Sequence, residues 1–460
     1  MFEQELLAER ARLTPDKTAI VSAESGERLT YAQLDERACR FAEMLRRNGV
    51  GPGDRFGILA YNSIDYVALF FAAGKADAIV VPLSTRATQH ELQQIVNDCG
   101  MKWLWHDDDF ASMPLSLPGG DAAPRSGTAE DIDCLLYTSG TTGKPKGVMI
   151  PRRQLYWNGV NTAISWGLRD DDVSTVHTPL YHAGGIAAFL IPIFTAGGTM
   201  VVHKTFNASA VWRTIERERA TVVLGVPTIW KLMMEAPEFA TANLEHVRWF
   251  ISGGAPLPVY IAEAYAKRGV AMKQGYGLTE VGVNCFSMTV EESVRKRGTI
   301  GKPMLFTDVR LVDGEMHIRG PHVSLGYWND EEATRAAFGE DGWFRTGDLA
   351  RVDDEGFFTI IGRRKEMFIT GGVNVYPAEI EAELVAHPEV VDAAVIPVPD
   401  ETWGESGVAF VVSKATEDDL ASFLALRLAK YKVPKRFVFI DALPRTPYGK
   451  VEKGKLRDML

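Results

Sequence analysis

The pattern of apolar and polar residues changes twice along the chain. From residue 30 to about 272, short apolar runs of strand length alternate with segments of helical period. The first helix is predicted to begin after Thr30 as N-cap and to end before Gly49. Its apolar positions are Leu34, Ala38, Phe41, Ala42 and Leu45. The strand-length runs are 55–59, 78–82, 221–226 and 247–251. Parallel strands joined by crossover helices have this pattern, and the chain is long enough for two such sheets.

After about residue 297 the pattern favours antiparallel hairpins, with Asp313-Gly314 and Glu355-Gly356 as their turns. The flanking runs are 309–312, 315–318, 348–352 and 357–361. From about residue 365 the pattern is mixed again, with helices near 377–386 and 417–430 and strands at 390–396 and 408–412. We therefore expect an α/β protein with two domains. Residues 1–364 would form a large N-terminal domain of two mixed α/β sheet lobes plus a β-rich subdomain, and residues 365–460 a small mobile α/β C-terminal domain.

Composition narrows the classes of function. The formal net charge of −10 argues against non-specific nucleic-acid binding, which needs a basic surface. The N-terminus is charged, and no apolar run reaches the roughly 18 residues of a membrane span, so a cytoplasmic protein is predicted. Peripheral contact with a membrane stays open. The cysteines share no metal-ligand spacing and are predicted to be buried structural thiols. They are Cys39, Cys99, Cys134 and Cys285.

The strongest local motif is the segment 137–147, with sequence YTSGTTGKPKG. Its glycines let backbone N–H groups approach an anion, its hydroxyls can donate to phosphate oxygens, and its lysines supply positive charge. These residues are Thr138, Ser139, Gly140, Thr141, Thr142, Gly143, Lys144 and Lys146. A P-loop nucleotidase does not fit, because its glycines are spaced more widely and Pro145 follows the first lysine here. Apolar runs on both sides predict that the segment joins two strands.

This segment resembles the phosphate-binding signature of the adenylate-forming superfamily, which includes acyl-CoA synthetases, adenylation domains of peptide synthetases and beetle luciferases. Segments similar to further motifs of that family are 181–182, 252–257, 274–280, 345–349, 362–365 and 444–453. The resemblance covers essentially the whole chain and is greatest to fatty-acid or aryl-acid CoA ligases. It implies an ATP-dependent acid–thiol ligase that uses ATP, Mg²⁺ and coenzyme A, as a monomer or homodimer.

The resemblance implies an adenine and α-phosphate site built from two turns. The residues implied to contact adenine are Gly254, Ala255, Pro256 and Tyr276, and Gly277 is implied to belong to the same nucleotide site. Thr279 would contact the α-phosphate and Glu280 would hold Mg²⁺, a hard cation that usually takes one or two carboxylates from the protein.

Other implied roles concern the ribose, the hinge and catalysis. Asp348 would accept hydrogen bonds from both ribose hydroxyls, since an ionised carboxylate has two acceptor oxygens, and Arg363 would assist it. Lys365 stands at the hinge between the domains, and Lys450 resembles the catalytic lysine of the last motif. His182 is assigned to gating and positioning at the entrance of the acyl site. The substrate carboxylate is already ionised, so adenylation needs no general base.

In relatives the C-terminal domain turns on the hinge between the two half-reactions. The segment matched by Gly371, Gly372 and Asn374 then replaces the catalytic lysine and lines a tunnel for pantetheine. Two positions depart from the plant phenylpropanoid enzymes, which have lysine at Ile369 and glutamine at Asn374. The sequence offers no obvious base for the thiol of coenzyme A.

The resemblance implies an acid pocket lined by small and apolar residues. Its residues are Gly184, Gly185, Ala188, Ile229, Trp230, Val281 and Cys285. Phenylpropanoid enzymes have an aromatic residue near Gly184, so a longer or wider cavity is expected here. No arginine lies on these stretches to pair with a second carboxylate, so a medium- to long-chain fatty acid or an aryl acid is predicted.

Three alternatives stay open at this stage. One is an acyl-AMP ligase that loads a carrier protein, although the chain has no appended carrier domain. Another is a luciferase-like oxygenase, which shares the motifs. A non-catalytic binding protein is disfavoured because Glu280, Asp348, Arg363 and Lys450 are all present.

Overall fold

The computed structural model describes residues 5–113, 115–138, 145–339, 341–445 and 451–460. Its strands, in chain order, are β1 Thr18–Ser22, β2 Arg28–Thr30, β3 Arg55–Leu59, β4 Ile79–Pro82, β5 Trp103–His106, β6 Ile132–Thr138, β7 Lys146–Pro151, β8 Val173–Val176, β9 Thr199–Val202, β10 Val222–Gly225, β11 Trp249–Ser252, β12 Met272–Gln274, β13 Phe286–Ser287, β14 Lys302–Pro303, β15 Asp308–Val312, β16 Glu315–Arg319, β17 Phe344–Val352, β18 Phe358–Arg363, β19 Phe368–Thr370, β20 Val373–Val375, β21 Val390–Asp400, β22 Gly404–Ser413 and β23 Arg436–Phe439.

Its α-helices are α1 Leu6–Leu13, α2 Tyr31–Arg47, α3 Ile64–Ala76, α4 Gln89–Cys99, α5 Arg152–Trp166, α6 Ala183–Gly185, α7 Ile191–Ala196, α8 Ala208–Arg217, α9 Pro227–Glu235, α10 Glu238–Thr241, α11 Val259–Lys267, α12 Val290–Arg295, α13 Glu331–Ala337, α14 Pro377–Val385, α15 Glu417–Ala425 and α16 Lys453–Arg457. A π-helical segment, Ile186–Leu190, connects α6 to α7. Short 3₁₀ turns are Asp108–Phe110, Thr279–Val281, Arg364–Glu366 and Lys430–Lys432.

Parallel sheets occupy the first two thirds of the chain, as the alternating pattern predicts. One sheet has the order β5-β3-β4-β6-β7, in which only the last pair is antiparallel. Two others have the orders β2-β1-β9-β8 and β10-β11-β12. The N–H of Thr221 donates to the carbonyl of Val173 at 2.8 Å, so these two lie edge to edge. The carboxyl ends of β10, β11 and β12 therefore meet at one edge, where α/β sheets bind ligands.

The first predicted helix shows why local signals succeed here. The hydroxyl of Thr30 accepts from the N–H of Gln33, and the Gln33 side chain accepts from the N–H of Thr30, which forms a capping box. The inward face of α2 buries Leu34, Ala38 and Leu45 completely. The predicted N-cap and apolar face are confirmed.

The later part of the chain is antiparallel and then mixed, as predicted. Asp313 and Gly314 have φ of 50° and 77° and close the β15–β16 hairpin in a two-residue turn. The sheet continues as β15-β16-β17-β18, and the last sheet has the order β20-β19-β22-β21 with β23 parallel to β22. Several bounds differ from prediction, and β17 begins four residues early, at Phe344. The β21–β22 hairpin is longer because its strands continue through Pro397 and Pro399, and α15 ends five residues early, at Ala425.

The four thiols differ in exposure. Cys99, Cys134 and Cys285 are buried and free, and burial raises the pKa of Cys99 to about 12 and the pKa of the other two in the same direction. The prediction is wrong for Cys39, which is exposed on the outer face of α2. Within the described residues, no helix is both long and apolar enough to cross a membrane.

Candidate active site

Asp348 is the centre of a buried hydrogen-bond network. Asp348, on β17, pairs with Arg363 on the neighbouring strand β18. Only 4% of its surface is exposed. Its Oδ1 accepts from Nε of Arg363 at 2.8 Å, and its Oδ2 accepts from the hydroxyl of Tyr276 at 2.5 Å. Burial and the charge of Asp348 raise the pKa of Tyr276, so its phenol stays protonated and donates. The structure thus brings together three residues that the sequence predicted to surround a nucleotide.

The loop after Tyr276 turns back on itself so tightly that it requires glycine. A Cβ on Gly277 would lie 2.0 Å from the carbonyl oxygen of Val283. Val283 itself has φ of 80°, an unusual conformation for a β-branched residue, and its N–H donates to the carbonyl of Leu278 at 2.9 Å. Non-glycine residues held in this region often mark functional sites. The loop presents Thr279 and Glu280 in a single 3₁₀ turn.

Side chains from α5 and from the segment between β16 and β17 form hydrogen bonds to this turn. Nε2 of Gln154, on α5, donates to the carbonyl of Thr279 at 2.9 Å. The hydroxyl of Tyr327 donates to Oε1 of Glu280 at 3.0 Å. Burial and the charge of Glu280 raise the pKa of Tyr327, so this phenol also stays protonated and donates. Neither Gln154 nor Tyr327 was predicted as a site residue.

The donor set at Glu280 fits the predicted magnesium. A carboxylate oxygen is the ligand that Mg²⁺ prefers, and this ion keeps several waters and phosphate oxygens around one or two carboxylates. Groups of three or more His, Cys, Asp or Glu side chains that could hold a metal by themselves do not occur among the described residues. Glu280 would therefore supply a carboxylate to an ion that a nucleotide brings with it.

The predicted phosphate loop joins two antiparallel strands, β6 and β7, whose last pair is Thr138 and Lys146. Nζ of Lys146 lies 3.3 Å from Oδ2 of Asp330 and 5.3 Å from the centre of the Tyr327 ring. The other predicted phosphate ligands lie outside the described residues: Ser139, Gly140, Thr141, Thr142, Gly143 and Lys144. So does the predicted catalytic residue Lys450.

The predicted adenine turns lie side by side. The N–H of Gly253 donates to the carbonyl of Gly225 at 3.1 Å, and the N–H of Gly275 to that of Ser252 at 2.8 Å. The segments after β11 and β12 are thereby held at neighbouring positions on the sheet edge. Gly254, Ala255 and Pro256 are exposed there, and Gly254 has φ of 80°.

His182 caps the short helix α6, since its Nδ1 accepts from the N–H of Gly184 at 3.0 Å. A Cβ on Gly185 would lie 2.4 Å from the carbonyl oxygen of Pro179, so glycine is needed there for the backbone as well as for any pocket. The π-helical segment that follows contains Ala188, and π-helical turns are frequent at functional sites. The carbonyl of Ala188 accepts a hydrogen bond from Nδ2 of Asn284 at 2.8 Å. Asn284 thus connects it to the loop that carries Val281 and Cys285, both fully buried.

Trp230 and Ile229 pack in a different apolar cluster from Ala188, Val281 and Cys285. The Trp230 ring is fully buried, stacks on Phe250 with centroids 5.0 Å apart and meets Tyr265 edge-on. Ile229 is partly buried against the same aromatic cluster. A role for Trp230 in the acid pocket stays a prediction.

The predicted hinge is anchored on both sides. Nε of Arg364 lies 3.1 Å from Oε2 of Glu315, in the β-rich subdomain. Oε2 of Glu366 accepts from Nζ of Lys453, on α16, at 2.8 Å. Lys365 lies between these two anchored residues, one of which contacts the β-rich subdomain and the other α16.

Gly371 and Gly372 form the two-residue turn between β19 and β20, with φ of 55° and 80°. A Cβ on Gly371 would lie 2.9 Å from the ring of Trp403, whereas a Cβ on Gly372 would meet nothing within 4 Å. Asn374 pairs with Ile369 across the hairpin, and both are exposed. Gly372 therefore faces open space, as a tunnel position requires.

Comparison with known proteins decides the family. Residues 7–328 match the family model described as AMP-binding enzyme, and residues 379–450 match that of the AMP-binding enzyme C-terminal domain. The chain belongs to the AMP-binding enzyme family. Among its relatives is a feruloyl-CoA synthase of Amycolatopsis, 40% identical over 97% of each chain. A long-chain-fatty-acid–CoA ligase of Mycobacterium tuberculosis is 36% identical over 98% of this chain and 97% of its own.

Solved structures of this AMP-binding enzyme family agree over the whole chain. The o-succinylbenzoate CoA synthetase of Bacillus subtilis with its acyl-adenylate intermediate has a TM-score of 0.90 at 31% identity, covering 99% of this chain and 98% of that one. ATP-bound MatB of Rhodopseudomonas palustris also scores 0.90, at 32% identity and the same coverage. Apo MatB scores 0.78 at that identity and coverage.

The family and its members settle the reaction class that the sequence predicted. This AMP-binding enzyme is an AMP-forming acid–CoA ligase, which makes an acyl-adenylate from ATP and a carboxylic acid and then a thioester with coenzyme A. ATP and coenzyme A are its cosubstrates and Mg²⁺ is its cofactor. The predicted fold, a large N-terminal and a small C-terminal domain of α/β type, is confirmed as well.

Proposed function

We propose that this ligase activates a medium- to long-chain fatty acid or an aryl acid with a single carboxylate. The observation that carries the proposal is the chemistry of the two loops joined by Asn284, which supply apolar or small side chains such as Ala188 and Cys285 and no cation. A second carboxylate buried there would lack a partner, at a cost of several kcal/mol. The feruloyl-CoA and long-chain fatty acid relatives support both halves of the proposed substrate class.

We assign the nucleotide to the edge formed by β10, β11 and β12. Its ribose would bind the Asp348 carboxylate, which Tyr276 and Arg363 hold in place through separate oxygens. Its adenine would rest on the exposed turn at Gly254, Ala255 and Pro256.

In the first half-reaction a substrate carboxylate oxygen bonds to the α-phosphorus and pyrophosphate leaves. The chain's part is to align these groups and to offset the negative charge that gathers around phosphorus. Thr279 would orient the α-phosphate, while Lys146 and Lys450 would lie along the leaving group. When bound, Mg²⁺ would offset part of the negative charge of the phosphates, and Glu280 would be its ligand.

In the second half-reaction the thiolate of coenzyme A attacks the acyl carbon and AMP leaves. We assign the division of the chain to Lys365, with residues 1–364 and 365–460 as the two domains. The ion pairs of Arg364 and Glu366, which lead to different domains, support a pivot there. The two TM-scores of MatB, 0.90 with ATP and 0.78 without, also fit a family whose domains rearrange. Gly372 would then admit the pantetheine arm.

A panel of acids with ATP, Mg²⁺ and coenzyme A tests the proposal, with pyrophosphate and thioester measured separately. Fatty and aryl acids should give both products and malonate neither. Pyrophosphate without thioester would instead indicate a carrier protein as acceptor. If malonate proved the best substrate, the proposed substrate class would be wrong.

A substitution at Lys450 tests the assignment of domains and catalytic lysine. Lys450→Ala should abolish adenylation yet spare capture of supplied acyl-adenylate by coenzyme A. Lys455→Ala is the matched control, since Lys455 is an exposed lysine of the same tail whose Nζ lies 2.7 Å from Glu452. Equal loss of both half-reactions in Lys450→Ala would refute domain alternation.

A further inference from the structure

We propose that Tyr327 is a positioning residue that fixes the magnesium carboxylate of Glu280 relative to the phosphate-binding hairpin. The proposal rests on the function proposed above. Tyr327 lies between β16 and β17 in sequence, far from both Glu280 and the β6–β7 hairpin. In space it contacts both of them.

The backbone of Tyr327 belongs to the phosphate hairpin. Residues 325–328 run antiparallel to β7: the N–H of Leu325 donates to the carbonyl of Met149 at 3.1 Å, and the N–H of Trp328 to that of Gly147 at 2.8 Å. Tyr327 and Val148 form the bridge between these bonds. The segment therefore adds a short strand to the hairpin, and its position follows that of β7.

The segment has little freedom to slide along β7. Gly326 has φ of 115°, and a Cβ there would lie 2.4 Å from Cγ2 of Thr334 on α13. The N–H of Tyr327 donates to Oγ1 of the same threonine at 2.9 Å. The start of α13 thus holds the tyrosine in register.

The side chain of Tyr327 links this fixed backbone position to Glu280, the carboxylate assigned to Mg²⁺. Its hydroxyl donates to Oε1 of Glu280 at 3.0 Å, which leaves Oε2 to serve an ion as a single-oxygen ligand. The N–H of Ser324 also donates to the carbonyl of Glu280, at 2.8 Å, so backbone and side chain restrain the same residue.

The opposite side of the tyrosine faces the cation of the hairpin. Nζ of Lys146 lies 5.3 Å from the ring centre and 3.3 Å from Oδ2 of Asp330. One phenol thus has a lysine over its ring and a glutamate at its hydroxyl, and these are the two charged groups assigned to the phosphates and their ion. The rigid ring thus restrains the Glu280 carboxylate relative to the hairpin, and a restrained carboxylate would suit Mg²⁺, which tolerates little departure from octahedral geometry.

Tyr327→Phe removes only the hydroxyl and tests the proposal by equilibrium binding. The dissociation constant of ATP is measured by calorimetry with Mg²⁺ and with EDTA, and the ratio of the two reports how strongly the ion and the nucleotide favour each other. In Tyr327→Phe this ratio should fall about tenfold, because a hydrogen bond to a charged group is lost. ATP binding in EDTA should stay unchanged. The Mg²⁺ concentration for half-maximal acid-dependent pyrophosphate exchange should rise by about the same factor.

Tyr31→Phe is the matched control. The hydroxyl of Tyr31 donates to the carbonyl of Gly198 at 2.7 Å in the core of the first lobe, so this variant also loses one buried phenol hydrogen bond. Its binding ratio should equal that of the wild type. A half-maximal concentration does not depend on how much of the protein is folded, so loss of stability cannot imitate the expected effect.

An unchanged ratio in Tyr327→Phe would overturn the proposal, and so would an equal fall in Tyr31→Phe. Failure of the proposed function gives a different result: the wild type itself would then show no acid-dependent exchange with any fatty or aryl acid.

Discussion

Lowering the pH from 7 to 5 should destabilise the large domain through two buried histidines. His177 follows β8 and His203 follows β9, with ring centroids 6.5 Å apart. Their exposed fractions are 2% and 1%, and Nε2 of each has no hydrogen-bond partner among the described residues. Burial lowers the pKa of His177 to about 3, with a contribution from His203, and burial lowers the pKa of His203 to about 4.

The sign and size of the effect follow from proton linkage. In the unfolded chain both histidines titrate near the ordinary pKa of about 6.5. Below that pH the unfolded state therefore binds protons that the folded state does not bind. The contribution of these histidines to the free energy of unfolding is fully present above their unfolded-state pKa. It is lost as the pH falls towards their folded-state pKa values. At pH 5 the loss relative to pH 7 is about 2 kcal/mol per histidine and about 4 kcal/mol for both, at 1.36 kcal/mol per pKa unit.

The assay is urea unfolding of the wild type and of His177→Phe at several pH values from 7 to 5. Phenylalanine keeps a flat apolar ring but cannot bind a proton, so the variant should lose about 2 kcal/mol less than the wild type over this range. All other titrating groups are shared and cancel in the comparison. His106→Phe, which replaces an exposed histidine, should follow the wild type. Parallel pH dependence of wild type and His177→Phe would refute the reasoning.

Three substitutions test the active site. Asp348→Asn should lower kcat/KM for ATP about 100-fold in a pyrophosphate-release assay, because a buried charged acceptor with two donors is lost; an unchanged value would mean that this carboxylate does not serve the nucleotide. Gly277→Ala should lower exchange about 100-fold, because its Cβ would lie 2.0 Å from the Val283 oxygen and displace the loop. Gly275→Ala, with its nearest contact at 3.4 Å, is the control, and equal losses would count against the clash. Gly372→Ala should slow thioester formation and spare adenylation when acyl-AMP and acyl-CoA are measured separately; equal slowing would argue against a tunnel at this turn.

Local chemistry explains why much of the fold was predictable. The capping box at Thr30 and the two positive φ angles at Asp313 and Gly314 depend on residues within a few positions of each other. The same holds for the phosphate hairpin, whose flanking strands β6 and β7 pair as expected. In the long β21–β22 hairpin the pattern stopped too soon, because Pro397 and Pro399 argue against a strand in the sequence although β21 continues through both.

Long-range packing explains what the sequence did not predict. Tyr327 stands in a turn-rich stretch, and neither its periodicity nor its neighbours indicate that it pairs with β7 or reaches Glu280. The aromatic packing of Trp230 is also long-range: its ring stacks on Phe250 and meets Tyr265 edge-on, and no local pattern around α9 indicates these contacts.

The uneven burial of the thiols has a practical consequence for watching the domains move. Cys39 is the one thiol at the surface, and the other three are shielded and held protonated, so a maleimide dye should couple to Cys39 alone in the folded enzyme. A second cysteine placed at Leu426, which is 85% exposed in the small domain, would accept a partner dye without disturbing a contact. Energy transfer between the two positions would then test the proposed turning of the small domain as a change of distance, with no native cysteine to remove first.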